Sequence, residues 1–193
     1  MRRICVYCGA NPGNDPAFRA AAETLAESLA RQGLGLVYGG ASVGLMGALA
    51  DTMLQAGGEV IGVIPRVLVE REVAHAGLSE LRVVESMHQR KAAMAELADG
   101  FIALPGGFGT LEEIFEILTW SQLGLHRKPC GLLNVNGYYR GLVEFLDRAV
   151  DSGLLREENR RMLLVAETPA RLLDLFHGYQ PPPVEQWLGP AET

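Results

Sequence analysis

The sequence of 193 residues predicts an α/β fold of the Rossmann-like kind, doubly wound, with a mostly parallel sheet covered by helices on both faces. Three observations carry this. Short apolar runs alternate with longer stretches of helical period along most of the chain. Glycine-rich turns join two of the runs to the helices after them, at Gly39–Gly44 and at Pro105–Gly109. No repeat or linker interrupts the alternation, so one domain is expected over residues 1–178, followed by a proline-rich tail over 179–193.

In order, Arg3 to Cys8 reads as the first strand, and Gly9 to Asn14 as a loop dense in turn residues. Asp15-Pro16 is an N-cap with proline at the first helical position. Phe18, Ala22, Leu25 and Leu29 form the apolar stripe of a helix that Gly33 ends. Leu34 to Tyr38 is a second strand, and the helix Leu45 to Gln55 follows its glycine turn. Glu59 to Ile64 is a third strand, with a less regular charged segment from Arg66 to Ser79. After a short strand, Leu81 to Glu85, Ser86-Met87-His88-Gln89 fits a capping box for a helix reaching about Ala98. Phe101 to Leu104 is a buried strand. The helix after its turn should turn Leu111, Ile114, Phe115, Leu118 and Thr119 inward. Cys130 to Asn134 and Arg161 to Glu167 are further strands. Tyr138 to Ser152 and Pro169 to Phe176 are helices. Gln180-Pro181-Pro182-Pro183 can be neither helix nor sheet interior, and Trp187 is the one large apolar anchor of the tail.

Composition narrows the function. A net charge of −6 argues against a nucleic-acid partner, because phosphate-backbone binding needs a basic face. No apolar run approaches the length of a membrane span, and no signal peptide precedes the first strand, so a cytoplasmic protein without a membrane partner is expected. Cys5 and Cys8 match C-x-x-C by spacing, but they lie on a strand, where residues three apart face opposite sides. With Cys130 they read as reduced packing thiols, and no metal site is expected.

The stretch with chemical content is Phe101 to Trp120. A strand that enters a glycine turn and then a helix N-terminus presents unpaired N–H groups, backed by the helix dipole, to an anion such as phosphate. Glu112 and Glu113 then fall in the first helical turn, close to whatever binds. Thr110-x-x-Glu113 is itself a capping box, so Glu113 is equally open to a structural and a functional reading. Arg90 and Lys91 are the local anomaly. Cations near a helix N-terminus lose about 0.3–1 kcal/mol each to the dipole, which makes sense if they face an anionic ligand. The turn Gly39–Gly47 lacks both the G-x-G-x-x-G pattern and the Walker lysine, so packing and ligand-facing roles explain its glycines equally well. Tyr138-Tyr139 and Trp120 read as packing residues. Glu72 is the best contact candidate in the charged segment after the third strand.

Pro105-Gly106-Gly107-Phe108-Gly109-Thr110-Leu111-Glu112-Glu113 matches in full the P-G-G-x-G-T-x-x-E signature of the Lonely Guy (LOG) family, which the chain resembles. Met87-His88-Gln89-Arg90-Lys91 matches a second block, with support from Cys5–Gly9, Val37–Gly40, Gly44–Gly47 and Thr119-Trp120. One departure stands at Glu70, where plant-like members often carry proline. The family consists of cytokinin riboside 5′-monophosphate phosphoribohydrolases, often labelled lysine decarboxylase-like. They split the N-glycosidic bond of an N6-modified AMP into free base and ribose 5-phosphate. The resemblance implies Arg90 and Glu113 as the catalytic pair. It also implies a nucleoside 5′-monophosphate held by Glu72, Met87, Arg90, Lys91, Gly106, Gly107, Phe108, Gly109, Thr110 and Glu113, no cofactor, and a homodimer with sites near the interface. Three other readings compete. One is a broader nucleoside-monophosphate nucleosidase, another a non-catalytic nucleotide or cofactor carrier. The third is a pyridoxal phosphate decarboxylase, for which Lys91 and Lys128 are the only lysines available.

Overall fold

A computed structural model describes residues 1–69 and 74–183. Glu72, expected above as a substrate contact, lies outside the described residues, as does Trp187. Among these residues seven strands form one sheet: β1 (Arg3–Tyr7), β2 (Gly35–Tyr38), β3 (Val60–Pro65), β4 (Glu80–Val84), β5 (Gly100–Ala103), β6 (Cys130–Leu133) and β7 (Leu163–Ala166). Their order across the sheet is β4-β3-β2-β1-β5-β6-β7, and each neighbouring pair is parallel. Between these strands and after β7 run α1 (Pro16–Arg31), α2 (Gly44–Gln55), α3 (Arg66–Val69), α4 (Met87–Leu97), α5 (Phe108–Gln122), α6 (Arg140–Asp151), α7 (Glu157–Arg160) and α8 (Pro169–His177).

The core divides at the sheet. On one face Leu25, Leu29, Leu49, Met53, Leu172 and Phe176 from α1, α2 and α8 pack on Ile4, Val6 and Leu36. On the other, Met94, Ile114, Ile117 and Leu146 from α4, α5 and α6 pack on Cys5, Tyr7 and Phe101. Cys5 and Cys8 fall in opposite halves, as alternation along a strand demands, and with Cys130 they are buried free thiols. The winding reverses between β1 and β5. In open parallel sheets a ligand crevice opens at that switch point, at the carboxyl ends of the strands.

Several expected boundaries move. The segment after β3 opens as a short helix, α3, instead of running irregularly from its start. The α-helix expected from Tyr138 starts at Arg140, and the turn before it, at Asn136-Gly137, is a single 3₁₀ turn, Val135–Gly137, where Asn136 has φ 50°. The seventh strand is shorter than expected, because Glu157–Arg160 close into a helical turn just before it. On α5 the buried face is Thr110, Glu113, Ile114, Ile117 and Ser121. Leu111, Phe115 and Leu118 are half-covered, and Thr119 is exposed. The stripe is therefore rotated from its expected position, and a carboxylate takes an inward place that periodicity assigns to an apolar side chain.

Candidate active site

A cavity of about 460 Å³ opens at the switch point. Its floor is the end of β1, from Val6 to Cys8, and one wall is the loop Gly9–Gly13 with Phe18. Gly39 and Met46 line it from the β2 side. Met87 and Arg90 come from α4, and the turn Pro105–Gly107 with Gly109, Thr110, Glu112 and Glu113 from the β5 side. Tyr138 closes the rim.

The glycine turn after β5 ends in a helix without a side-chain cap. Its N-cap is Gly107, so Thr110 is already in the helix and Glu113 lies in the second turn. The Thr110–Glu113 capping box does not form, and the first turn carries no acidic residue. This corrects the sequence reading that put Glu112 and Glu113 in that turn. It also removes the structural explanation for Glu113. Thr110 packs tightly under the turn: a Cβ on Gly106 would stand 2.1 Å from its hydroxyl. A Cβ on Gly107 or Gly109 would meet nothing within 4 Å, so neither glycine is there to relieve internal crowding. The N–H groups of Gly107 to Thr110 are those that a helix leaves without intrahelical partners. Phe108, beside them, is 94% exposed.

Glu113 is 8% exposed. Burial pushes its carboxyl pKa up to about 7; Arg90 opposes this, and the nearby Glu112 adds to it. Arg90 reaches across from α4 to stand 3.3 Å from Glu113, and both side chains are nearly covered. The guanidinium also donates from Nε to the Val63 carbonyl at 3.1 Å and lies near the Met87 sulfur. It passes over Gly39, where a Cβ would stand 2.3 Å from one of its nitrogens. Gly39 thus makes room for Arg90, a contact that no local pattern reveals. The N-terminus of α4 follows the capping pattern closely: the Ser86 hydroxyl accepts from the Gln89 N–H, and the Gln89 side chain accepts from the Glu85 N–H. The helix therefore starts where Arg90 faces the cavity.

Lys91 departs from expectation. Its ammonium bonds Glu112 at 2.5 Å and Glu116 at 2.9 Å, both on α5, and it is not among the cavity walls. Burial works against its charge, but the bonds to the two carboxylates outweigh burial and raise its pKa. The two cations at the start of α4 are matched by carboxylates from α5, not exposed to solvent. Lys128 is also remote from the cavity, with its Nζ on the Ala95 carbonyl at 2.7 Å. His88 is exposed. Among the described residues no cluster of three His, Cys, Asp or Glu could hold a metal ion. No helix there is long and apolar enough to cross a membrane. Burial keeps the Cys8 thiol, at the cavity floor, far above its usual pKa and hence neutral. Tyr138, read above as packing, donates its hydroxyl to the Gly106 carbonyl at 2.7 Å and borders the cavity.

Known proteins resemble this chain in sequence and in fold. A family model described as "Possible lysine decarboxylase" matches residues 46–176. The cytokinin riboside 5′-monophosphate phosphoribohydrolase LOG7 of Arabidopsis thaliana is 48% identical over 181 residues, covering 94% of this chain and 83% of its own length. The rice enzyme LOG, from Oryza sativa subsp. japonica, carries the same name; it is 49% identical over 94% of this chain and 75% of its own. Among solved structures, the molybdenum cofactor binding protein of Rippkaea orientalis superimposes with a TM-score of 0.68 at 21% identity, covering 92% of this chain and 97% of its own. A protein called TM1055 does so at 0.70 and 22%, covering 93% and 100%. Those two likenesses show the fold alone. With the plant phosphoribohydrolases, by contrast, close to half of all residues are shared over nearly the whole chain, and the family model covers most of it: the chain belongs to the Lonely Guy family.

Proposed function

We propose that this protein is a nucleoside 5′-monophosphate phosphoribohydrolase that cleaves the N-glycosidic bond of an N6-modified AMP, releasing the free base and ribose 5-phosphate. The observation that carries the reading is Glu113: a buried carboxylate with a pKa near 7, held by an arginine, one and a half turns behind a helix N-terminus free of side-chain caps. Six residues at about 1.5 Å rise put it about 9 Å along the axis from Gly107. Side chains tilt toward the helix N-terminus, which shortens that gap. The spacing suits a 5′-phosphate on the N–H groups of Gly107 to Thr110, with the ribose over Glu113.

In the reaction the bond from the anomeric carbon to the base nitrogen breaks, and its electron pair leaves with the base. Positive charge builds on the ribose, as in other glycoside hydrolyses. The Glu113 carboxylate stabilises that charge and takes a proton from the attacking water, whose oxygen bonds to the anomeric carbon; the departing base takes up one proton in turn, so that the sum adds water across the bond and returns Glu113 to its ionised form. Arg90 keeps Glu113 in place and keeps a useful fraction of it ionised near neutral pH. Met87 offers apolar surface to the base from the cavity wall, Phe108 contributes its backbone to the phosphate turn, and the family resemblance adds Glu72 as a further substrate contact. Lys91 acts from α4 through Glu112 and Glu116. Neither lysine borders the cavity, which disfavours an aldimine-forming decarboxylase.

The half-covered Leu111, Phe115 and Leu118 on α5, with exposed Phe145 on α6, support a homodimer packed next to the site. The free buried thiols support a reducing, cytoplasmic setting.

The test is to incubate the protein with AMP, N6-isopentenyl-AMP and the other nucleoside monophosphates and assay free base and ribose 5-phosphate. Release is expected from N6-isopentenyl-AMP, with at least about a hundredfold loss in Glu113→Gln and Arg90→Ala. No base from any nucleotide would sink the reading. Tight AMP binding without cleavage would favour a carrier, and equal turnover of all monophosphates a broad nucleosidase.

A further inference from the structure

The carbonyls of the glycine turn are all held from the protein side. Leu104 O accepts from the Tyr139 hydroxyl at 2.6 Å, Pro105 O from the Gly9 N–H at 3.2 Å, and Gly106 O from the Tyr138 hydroxyl at 2.7 Å. The next carbonyl, Gly107 O, accepts the first helical bond, from the Leu111 N–H at 3.1 Å. Both tyrosines come from the segment that follows β6. There the Asn134 side chain accepts from the Tyr139 N–H at 2.7 Å, and Asn136 donates to Asp15, the N-cap of α1, at 2.9 Å. Tyr138 is wedged edge-on against Phe18 and Tyr139, with ring centroids 5.4 and 4.9 Å away.

A trans peptide carries its C=O and the following N–H on opposite edges of one plane. Pinning the Gly106 carbonyl therefore fixes the direction of the Gly107 N–H, one of the donors that the helix leaves unpaired. The Tyr139 bond differs, because the residue after Leu104 is proline, and that peptide has no N–H to aim.

We propose that Tyr138 is a positioning residue for the phosphate of the substrate: its hydroxyl, by holding the Gly106 carbonyl, orients the 106–107 peptide so that the Gly107 N–H is set to receive an anion. This rests on the proposed function for the placement of the phosphate, but it concerns an anion site that can be assayed without catalysis. Tyr138 acts through the backbone and leaves the bond-breaking groups untouched. It should thus govern affinity for the phosphate end of the ligand and not the rate of the chemical step.

The experiment compares wild type, Tyr138→Phe and Tyr139→Phe, each of which loses one hydroxyl and keeps its ring. Ribose 5-phosphate and adenine binding are measured by calorimetry, and kcat and KM with N6-isopentenyl-AMP. Tyr138→Phe is expected to bind ribose 5-phosphate about tenfold more weakly, to bind adenine as wild type does, and to raise KM about tenfold with kcat within about threefold. Tyr139→Phe is expected to lower the melting temperature and leave ribose 5-phosphate affinity unchanged. Unchanged ribose 5-phosphate affinity in Tyr138→Phe overturns the proposal. So does an equal loss in Tyr139→Phe, or a wild type that binds no ribose 5-phosphate. A wild type that binds ribose 5-phosphate but cleaves no nucleotide sinks the proposed function alone, and the binding comparison still decides the role of Tyr138.

Discussion

The turn after β2 and the turn after β5 share one plan: a buried parallel strand, a run of glycines, then a helix. In the first, the missing side chains make room for the protein itself. Gly44 has φ 60°, and a Cβ on it would stand 2.1 Å from the Ala10 carbonyl; one on Gly47 would stand 2.2 Å from the Ser42 carbonyl; Gly39 lies under Arg90. In the second, Gly106 is crowded by Thr110, but Gly107 and Gly109 face open space beside the cavity. Glycines with neither a positive φ nor a close neighbour gain nothing for the folded chain. Gly109, inside a helix, even costs about 0.5–1 kcal/mol relative to alanine. The same motif thus builds a scaffold at one place and keeps room for a ligand at the other.

Gly39 links the two turns: it belongs to the first, yet the side chain it makes room for, Arg90, faces Glu113 on the helix after the second. Gly39→Ala should push the Arg90 guanidinium away from Glu113. Because the far end of a flexible side chain gives way, the fold should survive, while kcat/KM falls about a hundredfold. Steady-state kinetics together with a melting curve check this.

The division itself is tested by a pair with smaller effects. Gly109→Ala should raise stability by up to about 1 kcal/mol and weaken ribose 5-phosphate binding about tenfold. Gly44→Ala, strained in φ and pressed on backbone, should lose about 1–3 kcal/mol of stability, and the folded fraction should keep its affinity. Denaturant unfolding and calorimetry separate the two. Equal effects on both quantities in both variants would erase the distinction.

The parallel architecture was legible because period and turn chemistry are local, and the strand–turn–helix at Phe101–Trp120 stands where they put it. Arg90 and Glu113 stood out for related reasons. A cation near a helix N-terminus contradicts the dipole, and a carboxylate follows a turn with more glycine than capping requires. The remainder hinged on contacts distant in sequence. Three glycines in the turn leave the helix start free to shift, so the position of Thr110 suggested a cap that Gly107 supplies instead. Lys91 finds its carboxylates 21 and 25 residues away, and Tyr138 finds its carbonyl 32 residues back. No periodicity reports such pairings. Gly39 looked ambiguous because its neighbour, Arg90, comes from a helix beyond two further strands.

The central claim is that ionised Glu113 drives cleavage, and its pKa near 7 gives the claim a pH signature. The measurement is kcat/KM for N6-isopentenyl-AMP from pH 5 to 9, divided at each pH by the affinity for ribose 5-phosphate, which removes the titration of the substrate phosphate. Because kcat/KM reports the groups of the free enzyme, the quotient should climb about tenfold per unit below pH 7 and level off above it, and Glu113→Gln should retain less than about a hundredth of the plateau. A quotient that is flat across this range, or that falls as pH rises through 7, would contradict the account.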